Sequence, residues 1–215
     1  GESGSGKSTL AKAIINIQKP SNGEIYFNKN NLMNLNKDQT IKMRQDVQMI
    51  FQDPYSSLNP KSTIRKLLIE PLKFHKITNK ANYEKKIVEL IFKVGLDNKF
   101  LDKYPHQLSG GQCQRVNIAR ALSVNPKILI ADEPTSSLDV TIQAQIIELI
   151  INLCKKMELT LIFISHDLRV VKNICNKIIV MKGGKIIESG STYEVFHKTK
   201  NTYTKELITS VLSIN

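Results

Sequence analysis

The chain has 215 residues, 41% of them hydrophobic and 23% charged, which is typical of a folded globular protein and argues against a disordered one. No apolar run approaches the roughly eighteen residues of a membrane-spanning helix. The net charge is +12, but the basic residues are scattered and no nucleic-acid-binding motif accompanies them. A generally basic surface is therefore favoured over a dedicated nucleic-acid patch.

The cysteines are odd in number and lack the CxxC spacing of a zinc or redox site. This pattern indicates a reducing compartment without a disulfide framework. We expect small, buried thiols at all three positions: Cys113, Cys154 and Cys175.

The first half of the chain begins with a glycine-rich stretch followed by apolar residues at helical spacing over 8–17. The segment 23–28 has alternating hydrophobicity and is bounded by Asn-Gly, which predicts a strand. The short apolar segment 46–51 predicts another strand. Residues from about 60 to 120 contain three segments with helical patterns and no strand candidate. This region is predicted to be a helical subdomain inserted into a larger core.

The second half contains three continuous apolar runs, at 128–131, 161–164 and 178–181. Such runs are typical of strands in a parallel sheet that is buried on both faces. A helical pattern covers 141–156, and this alternation of strand, helix and strand predicts an α/β fold. A glycine pair at 183–184 predicts a hairpin, after which two short helices are expected.

The opening residues match the phosphate-binding pattern G-x-x-x-x-G-K-[ST]. Its glycines let backbone amides turn towards an anion, and the following helix directs its positive end to the same point. Lys7 would neutralise the β- and γ-phosphates, and the Ser8 hydroxyl would bind Mg²⁺. A flexible Gly/Ser terminus is the alternative. The candidate phosphate-binding residues are Gly1, Glu2, Ser3, Gly4, Ser5, Gly6, Lys7, Ser8 and Thr9.

Polar residues follow three of the predicted strands, where ligands bind in parallel sheets. Asp132 would hold Mg²⁺, and Glu133 would polarise an attacking water. His166 could donate to a γ-phosphate, although a histidine after a strand is more often a surface residue. Gln52 could reach Mg²⁺ or the water.

A second candidate cradle, "LSGGQ" at 108–112, precedes a predicted helix. Its alternative role is an ordinary helix start with Ser109 as N-cap. As an anion site it would bind phosphate through the helix N-terminus, with four candidate residues: Ser109, Gly110, Gly111 and Gln112.

In their order and spacing these motifs resemble the ATP-binding cassette of ABC transporters. The resemblance covers a Walker A loop (1–9), a Q-loop (Gln52), the LSGGQ signature, a Walker B strand (128–132 with Glu133), a D-loop (136–139) and a switch histidine (His166). "FQDPYSSLNP", "YPHQLSGGQCQRVNIARAL" and "NTYTKELITSVLS" are further similar to the ATPase subunits of oligopeptide, dipeptide and nickel importers.

The sequence departs from this pattern in three places. Cys113 stands where the branch often has a long residue, and Ser137 replaces the usual alanine of the D-loop. The strand and the adenine-stacking aromatic that precede the loop in the family are missing, so we expect a fragment of a longer gene product.

The resemblance implies an ATPase of the P-loop (RecA-like) fold that uses ATP and Mg²⁺. Two cassettes would meet head to tail, each ATP lying between one Walker A loop and the other cassette's signature, with Asp139 near the seam. The expected partners are a second, paralogous or identical cassette, two transmembrane permease subunits and, indirectly, an extracytoplasmic solute-binding protein. The expected location is the cytoplasmic face of the membrane, and no nucleic acid is expected as a partner.

We expect one domain whose α/β core with a mostly parallel sheet comprises residues 1–59 and 121–190. The helical subdomain would comprise 60–120, and the last helices 191–215. An ABC-type ATPase that acts on nucleic acid or ribosomes is the alternative function, and a simple P-loop kinase is a third, against which the signature and the D-loop argue.

Overall fold

The computed structural model describes residues 1–212, with the side chains of Val211 and Leu212 left undescribed. The chain forms two compact units: a larger one from Asn22 to Ile162, and a smaller one made of residues 1–21 and the chain from Phe163 onward. Over the described range, helices that could cross a bilayer are absent.

The chain contains helices and strands in mixed order, with three successive α-helices between residues 64 and 122. In order they are α1 (Lys7–Ile14), β1 (Tyr26–Phe27), β2 (Asn30–Asn31), α2 (Lys37–Asp46), β3 (Val47–Ile50), α3 (Ile64–Phe74), α4 (Tyr83–Lys93), α5 (Gly110–Leu122), β4 (Ile128–Asp132), α6 (Val140–Lys156), β5 (Thr160–Ile164), α7 (Leu168–Ile174), β6 (Lys177–Lys182), β7 (Lys185–Ser191), α8 (Thr192–His197) and α9 (Thr202–Leu212).

The larger unit contains a sheet of order β3-β4-β5, and the unit boundary falls within β5. Strands β3 and β4 run parallel, with Val47 opposite Ile128 and Ile50 opposite Ala131. Parallel neighbours require a long crossover, and the helices between these strands supply it. The predicted α/β fold is thereby confirmed.

The helices α3 to α6 pack around one hydrophobic core. It includes Leu68, Ile91, Ile118 and Ile146, each less than 1% exposed, and it also includes Ile50 of β3. Burial of each such side chain stabilises the fold by about 1.5–3 kcal/mol. Because helices 60–120 share this core with the sheet, their separation as a subdomain stays a prediction.

The smaller unit is built on the antiparallel hairpin of β6 and β7. Gly183 and Gly184 form its turn with φ of 53° and 77°, which favours glycine at both positions. Helices α7, α8 and α9 supply Val171, Val195 and Tyr203 to a small apolar core with β6. The predicted hairpin and the two closing helices are confirmed.

Two predictions about strands were wrong in detail. The run 178–181 does not form a parallel strand buried on both faces, because β6 pairs antiparallel with β7 and its Ile179 is 58% exposed. An apolar run alone does not distinguish the two arrangements. The strand predicted over 23–28 shortens to Tyr26–Phe27, because the chain turns back at Asn28 and Lys29 with positive φ.

Candidate functional site

The glycine-rich loop and α1 form a candidate anion site in the smaller unit. Gly4 and Gly6 have φ of 77° and 97°, a left-handed backbone that glycine adopts at little cost. Gly6 is the N-cap of α1 and offers no side-chain cap, and the first turn of α1 contains no acidic residue. The positive end of the helix is therefore not neutralised by its own side chains.

The loop is held by other parts of the same unit. A Cβ added to Gly1 would lie 2.0 Å from the Met181 carbonyl oxygen, so only glycine fits there. The Gly184 N–H donates to the Ser5 carbonyl at 3.0 Å, and the Glu2 N–H donates to Tyr203 Oη at 3.2 Å. Ser5 is buried, and these contacts fix the loop on the β6–β7 hairpin and α9.

Lys7 points back into the loop. Its Nζ donates to the carbonyl oxygens of Gly1 and Glu2 at 2.9 and 2.7 Å, and to Ser5 Oγ at 3.3 Å. The ammonium thus lies inside the curve of the loop, where it can meet a phosphate. Ser8 is half-buried at the start of α1, whereas Ser3 and Thr9 are exposed.

His166 lies in the same unit, between β5 and α7, and its side chain is exposed. The neighbouring Asp167 caps α7 by accepting from the Arg169 N–H at 2.9 Å. Asp167 N–H in turn donates to Ser165 Oγ. These bonds fix the turn on which His166 stands.

The larger unit brings Gln52 and Glu133 together. They are 81 residues apart in the chain, yet Gln52 Nε2 donates to Glu133 Oε2 at 3.3 Å. Parallel pairing of β3 and β4 places the two strand ends side by side, which explains the contact. Asp132, the last residue of β4, is 4% exposed.

Glu133 has an unusual backbone, with φ of 45°. A non-glycine residue in this region costs about 1–3 kcal/mol and persists only where its surroundings hold it. Its carbonyl accepts from the Ser136 N–H and from Ser136 Oγ, both at 3.2 Å. The carbonyl of the next residue, Pro134, accepts from the buried Gln114 amide.

The signature residues begin α5. Ser109 is its N-cap in a capping box, in which Ser109 Oγ accepts from the Gln112 N–H and Gln112 Oε1 accepts from the Ser109 N–H. A Cβ on Gly110 would lie 2.9 Å from Leu138 Cδ2, and one on Gly111 would lie 2.6 Å from Ile142 Cγ2. The two glycines let α5 approach the D-loop and α6 closely.

Asp139 is the N-cap residue of α6, is exposed and makes no side-chain cap bond. The structure therefore collects the predicted residues into two sets. The loop 1–9 and His166 belong to the smaller unit, and the other predicted residues belong to the larger one: Gln52, Ser109, Gly110, Gly111, Gln112, Asp132, Glu133 and Asp139.

Each unit offers oxygen donors of the kind that Mg²⁺ prefers. Within residues 1–212, no group of three or more His, Cys, Asp or Glu side chains could hold a metal by itself. Mg²⁺ usually binds through one or two protein oxygens together with substrate phosphates and water. Ser8 offers a hydroxyl oxygen in the smaller unit, and Asp132 and Gln52 offer carboxylate and amide oxygens in the larger one.

The profile of the ABC transporter family matches residues 1–136, which is more than half of the chain. The chain belongs to the ABC transporter family. The match extends from the glycine-rich loop through the Walker B strand, and the resemblance seen in the sequence is confirmed.

Relatives of this ABC protein are named for oligopeptide transport. The oligopeptide transport ATP-binding protein OppF of Haemophilus influenzae is 49% identical over 98% of this chain, and AppF of Bacillus subtilis is 44% identical over 98%. The chain spans 64% of the length of each. A solved dimeric structure of the cassette MJ0796 with ADP and Pi superposes with a TM-score of 0.78 at 34% identity, covering 89% of this chain and 82% of that one.

Sequence reasoning missed a set of polar contacts behind the site of this ABC cassette. Asn117 Nδ2 donates to the Pro54 carbonyl at 2.8 Å, and Arg120 Nη1 donates to the Ser57 carbonyl at 2.7 Å. Tyr55 Oη donates to the Leu108 carbonyl at 3.0 Å. Burial lowers the pKa of the Arg120 guanidinium. The available signal was the presence of polar residues on the buried face of α5.

Proposed function

We propose that the full-length protein is the ATP-binding and ATP-hydrolysing subunit of an ABC importer that takes up peptides, or nickel and related solutes, across the cytoplasmic membrane. The observation that carries this proposal is the position of the Lys7 ammonium inside the glycine-rich loop. The names of the OppF and AppF relatives support the choice of an oligopeptide importer.

The loop 1–9 would hold the triphosphate of ATP. Lys7 would exchange its contacts with the Gly1 and Glu2 carbonyls for β- and γ-phosphate oxygens, and loop amides with the N-terminus of α1 would bind the remaining charge. The fixed contacts of Gly1 and Ser5 mean that the loop need not be ordered when the nucleotide binds.

Ser8, Asp132 and Gln52 would hold Mg²⁺, Asp132 through a water molecule. When bound, the ion neutralises charge that develops on the β- and γ-phosphate oxygens. Asp132 is buried at the end of β4, where ligands bind in parallel sheets.

Glu133 would polarise the water that attacks the γ-phosphate, and the Gln52 amide would orient both the carboxylate and the water. His166 would donate a hydrogen bond to the γ-phosphate from its exposed turn. These roles need no covalent intermediate, because phosphoryl transfer depends on positioning and charge stabilisation.

The signature residues Ser109, Gly110, Gly111 and Gln112 would contact the γ-phosphate held by a partner cassette, with Asp139 near the seam. Only a nucleotide with a γ-phosphate reaches both cradles, so binding would close the dimer and hydrolysis would loosen it. The other partners would be two permease subunits and, indirectly, a solute-binding protein, and the subunit would lie on the cytoplasmic face of the membrane.

The test is the ATPase activity of the full-length protein with its partner cassette and permeases in vesicles. We expect turnover to rise when a peptide-loaded solute-binding protein is added. Stimulation by DNA or ribosomes, with no response to the membrane partners, would contradict the proposal and support the nucleic-acid alternative.

A further inference from the structure

The contact between Gln52 and Glu133 joins two loops that are 81 residues apart in the chain. One follows β3 and the other follows β4, and the side-chain hydrogen bond between them is 3.3 Å long and solvent-exposed. Water competes with exposed hydrogen bonds, so this bond alone cannot fix the two side chains. The backbone of each loop therefore contributes to their positions.

Both loop backbones are held from behind by α5. Asn117 Nδ2 donates to the carbonyl of Pro54, two residues after Gln52, and the Gln114 amide donates to the carbonyl of Pro134, the residue after Glu133. Asn117 Nδ2 also approaches Gln114 Oε1 at 3.4 Å. The chain Pro54–Asn117–Gln114–Pro134 is therefore a continuous polar bridge beneath the exposed pair.

The bridge lies in the interior of the larger unit. Gln114 is 0% exposed and Asn117 is 5% exposed, and the buried Asn117 Oδ1 has no hydrogen-bond partner. Apolar side chains of similar size would fill the same space, but they would leave the Pro54 and Pro134 carbonyls without these donors. Packing alone therefore does not account for two amides on the buried face of α5.

The backbone of Glu133 gives the bridge a specific task. Its left-handed conformation persists only while neighbouring atoms hold it, and Gln114 holds the carbonyl immediately after it. A small rotation at this point would swing the Glu133 carboxylate away from Gln52. Misplacing a reacting group by about 1 Å can lower a rate by about 100-fold.

We infer that Gln114 and Asn117 are positioning residues that set the relative placement of Gln52 and Glu133 for attack on the γ-phosphate. The inference rests on the proposed function, because it gives the pair its reaction. Gln114 is also one turn beyond Gly110 in α5. The helix that begins with the signature motif thus also fixes the site of water activation.

The experiment compares Gln114→Met and Asn117→Leu, which keep side-chain size and lose the amide donors, with Ile118→Val as the matched control. Ile118 is buried in the same helix and takes no part in the bridge. Turnover and ATP affinity are measured on the full-length protein. Amide hydrogen exchange of residues 52–58 and 133–138 is measured without nucleotide.

We expect each amide variant to lower kcat about 10-fold while its Kd for ATP stays within about two-fold of the original. Exchange should accelerate in both loops, and the double variant should lose no more than the worse single variant, since the two residues act as one unit. Ile118→Val should show neither the loss of kcat nor the faster exchange in these loops.

Normal kcat, or unchanged exchange in either loop, would overturn the inference. If these variants do not fold, the comparison is repeated with Asn117→Ser, whose shorter side chain cannot contact the Pro54 carbonyl. A folded Asn117→Ser variant with normal kcat would also overturn the inference. Glu133→Gln is measured alongside. If Glu133→Gln hydrolyses ATP at the normal rate, the proposed function is contradicted. If Glu133→Gln is slow while the Gln114 and Asn117 variants have normal kcat, only the positioning role of these two residues is contradicted.

Discussion

The N-termini of α1 and α5 are both glycine-rich and both suited to anions, but they are built differently. At α1, the N-cap Gly6 gives no side-chain hydrogen bond, and the Lys7 ammonium lies inside the loop. At α5, Ser109 and Gln112 bond to each other's backbone in a capping box, and the first turn contains no cation. The cradle at α1 is therefore open, meaning that it has no side-chain cap, and it is charged. The cradle at α5 is capped and neutral.

This difference predicts different roles for the two cradles in ATP binding. A site with a positive side chain can bind a triphosphate by itself, because hydrogen bonds to charged groups contribute about 1.5–3 kcal/mol each. A neutral helix start contributes less and would act on a phosphate that another loop already holds. The α1 site would therefore set affinity, and the α5 site would report that ATP is bound.

The largest expected effect comes from the Glu133 carboxylate rather than from either cradle. Glu133→Gln should lower the hydrolysis rate at least about 100-fold, because the amide cannot accept the proton of the attacking water. ATP binding should persist, since Lys7 and the loop are unchanged. Single-turnover kinetics beside equilibrium binding would test this, and near-normal turnover would refute the role of Glu133.

The next effect tests the open cradle. Lys7→Ala should weaken ATP binding by about 10- to 100-fold, the equivalent of one lost charge-assisted hydrogen bond. Lys12→Ala is the matched control, because Lys12 lies in the last turn of the same helix. Titration calorimetry of both variants decides the point, and an unchanged Kd for Lys7→Ala would contradict the comparison.

A smaller effect tests the capped cradle. Ser109→Ala should destabilise the fold by about 1 kcal/mol through loss of the cap. Ser191→Ala is its control, because Ser191 and Glu194 form the same kind of capping box at α8. Both variants should lose similar stability in urea unfolding, but only Ser109→Ala should impair hydrolysis. Equal hydrolysis in the two variants would leave Ser109 with a structural role alone.

The smallest effect concerns the thiol directly behind the signature. Burial raises the pKa of Cys113 to about 11, so its reactive thiolate is scarce at neutral pH. A thiol reagent at pH 7 should leave turnover unchanged, and labelling should accelerate as the pH rises towards 11. Mass spectrometry of the Cys113 peptide measures this, with Ser109→Cys as an exposed comparison. Fast labelling of Cys113 at pH 7 would show that α5 is less firmly packed than the structure indicates.

The sequence was most informative where a motif is contiguous. The loop 1–9, the signature and β4 with Asp132 could be predicted because local spacing determines them, and α6 followed from its apolar periodicity. The roles of individual site residues stay predictions. They depend on a nucleotide and on partner subunits, neither of which is encoded in local pattern.

Tertiary features were harder to predict. Helix α2 was missed because it buries only Met43 and Asp46, so its apolar pattern is weak, although Asn36 and Gln39 form a capping box that could have revealed its start. The pairing of β6 depends on a hairpin partner rather than on its own run of apolar residues. The bridge through Gln114 and Asn117 joins loops far apart in the chain, so polar residues on the buried face of α5 could indicate buried amides but not their partners.

The central claim is that the neutral signature cradle closes on a triphosphate held by the charged loop of another cassette. The most direct measurement is a structure of the full-length Glu133→Gln protein, assembled with its partners and trapped with ATP. The account predicts that Ser109 Oγ lies within hydrogen-bond distance, about 2.5–3.0 Å, of a γ-phosphate oxygen bound by the opposite glycine-rich loop. A closed assembly in which residues 108–112 lie far from every triphosphate would contradict it.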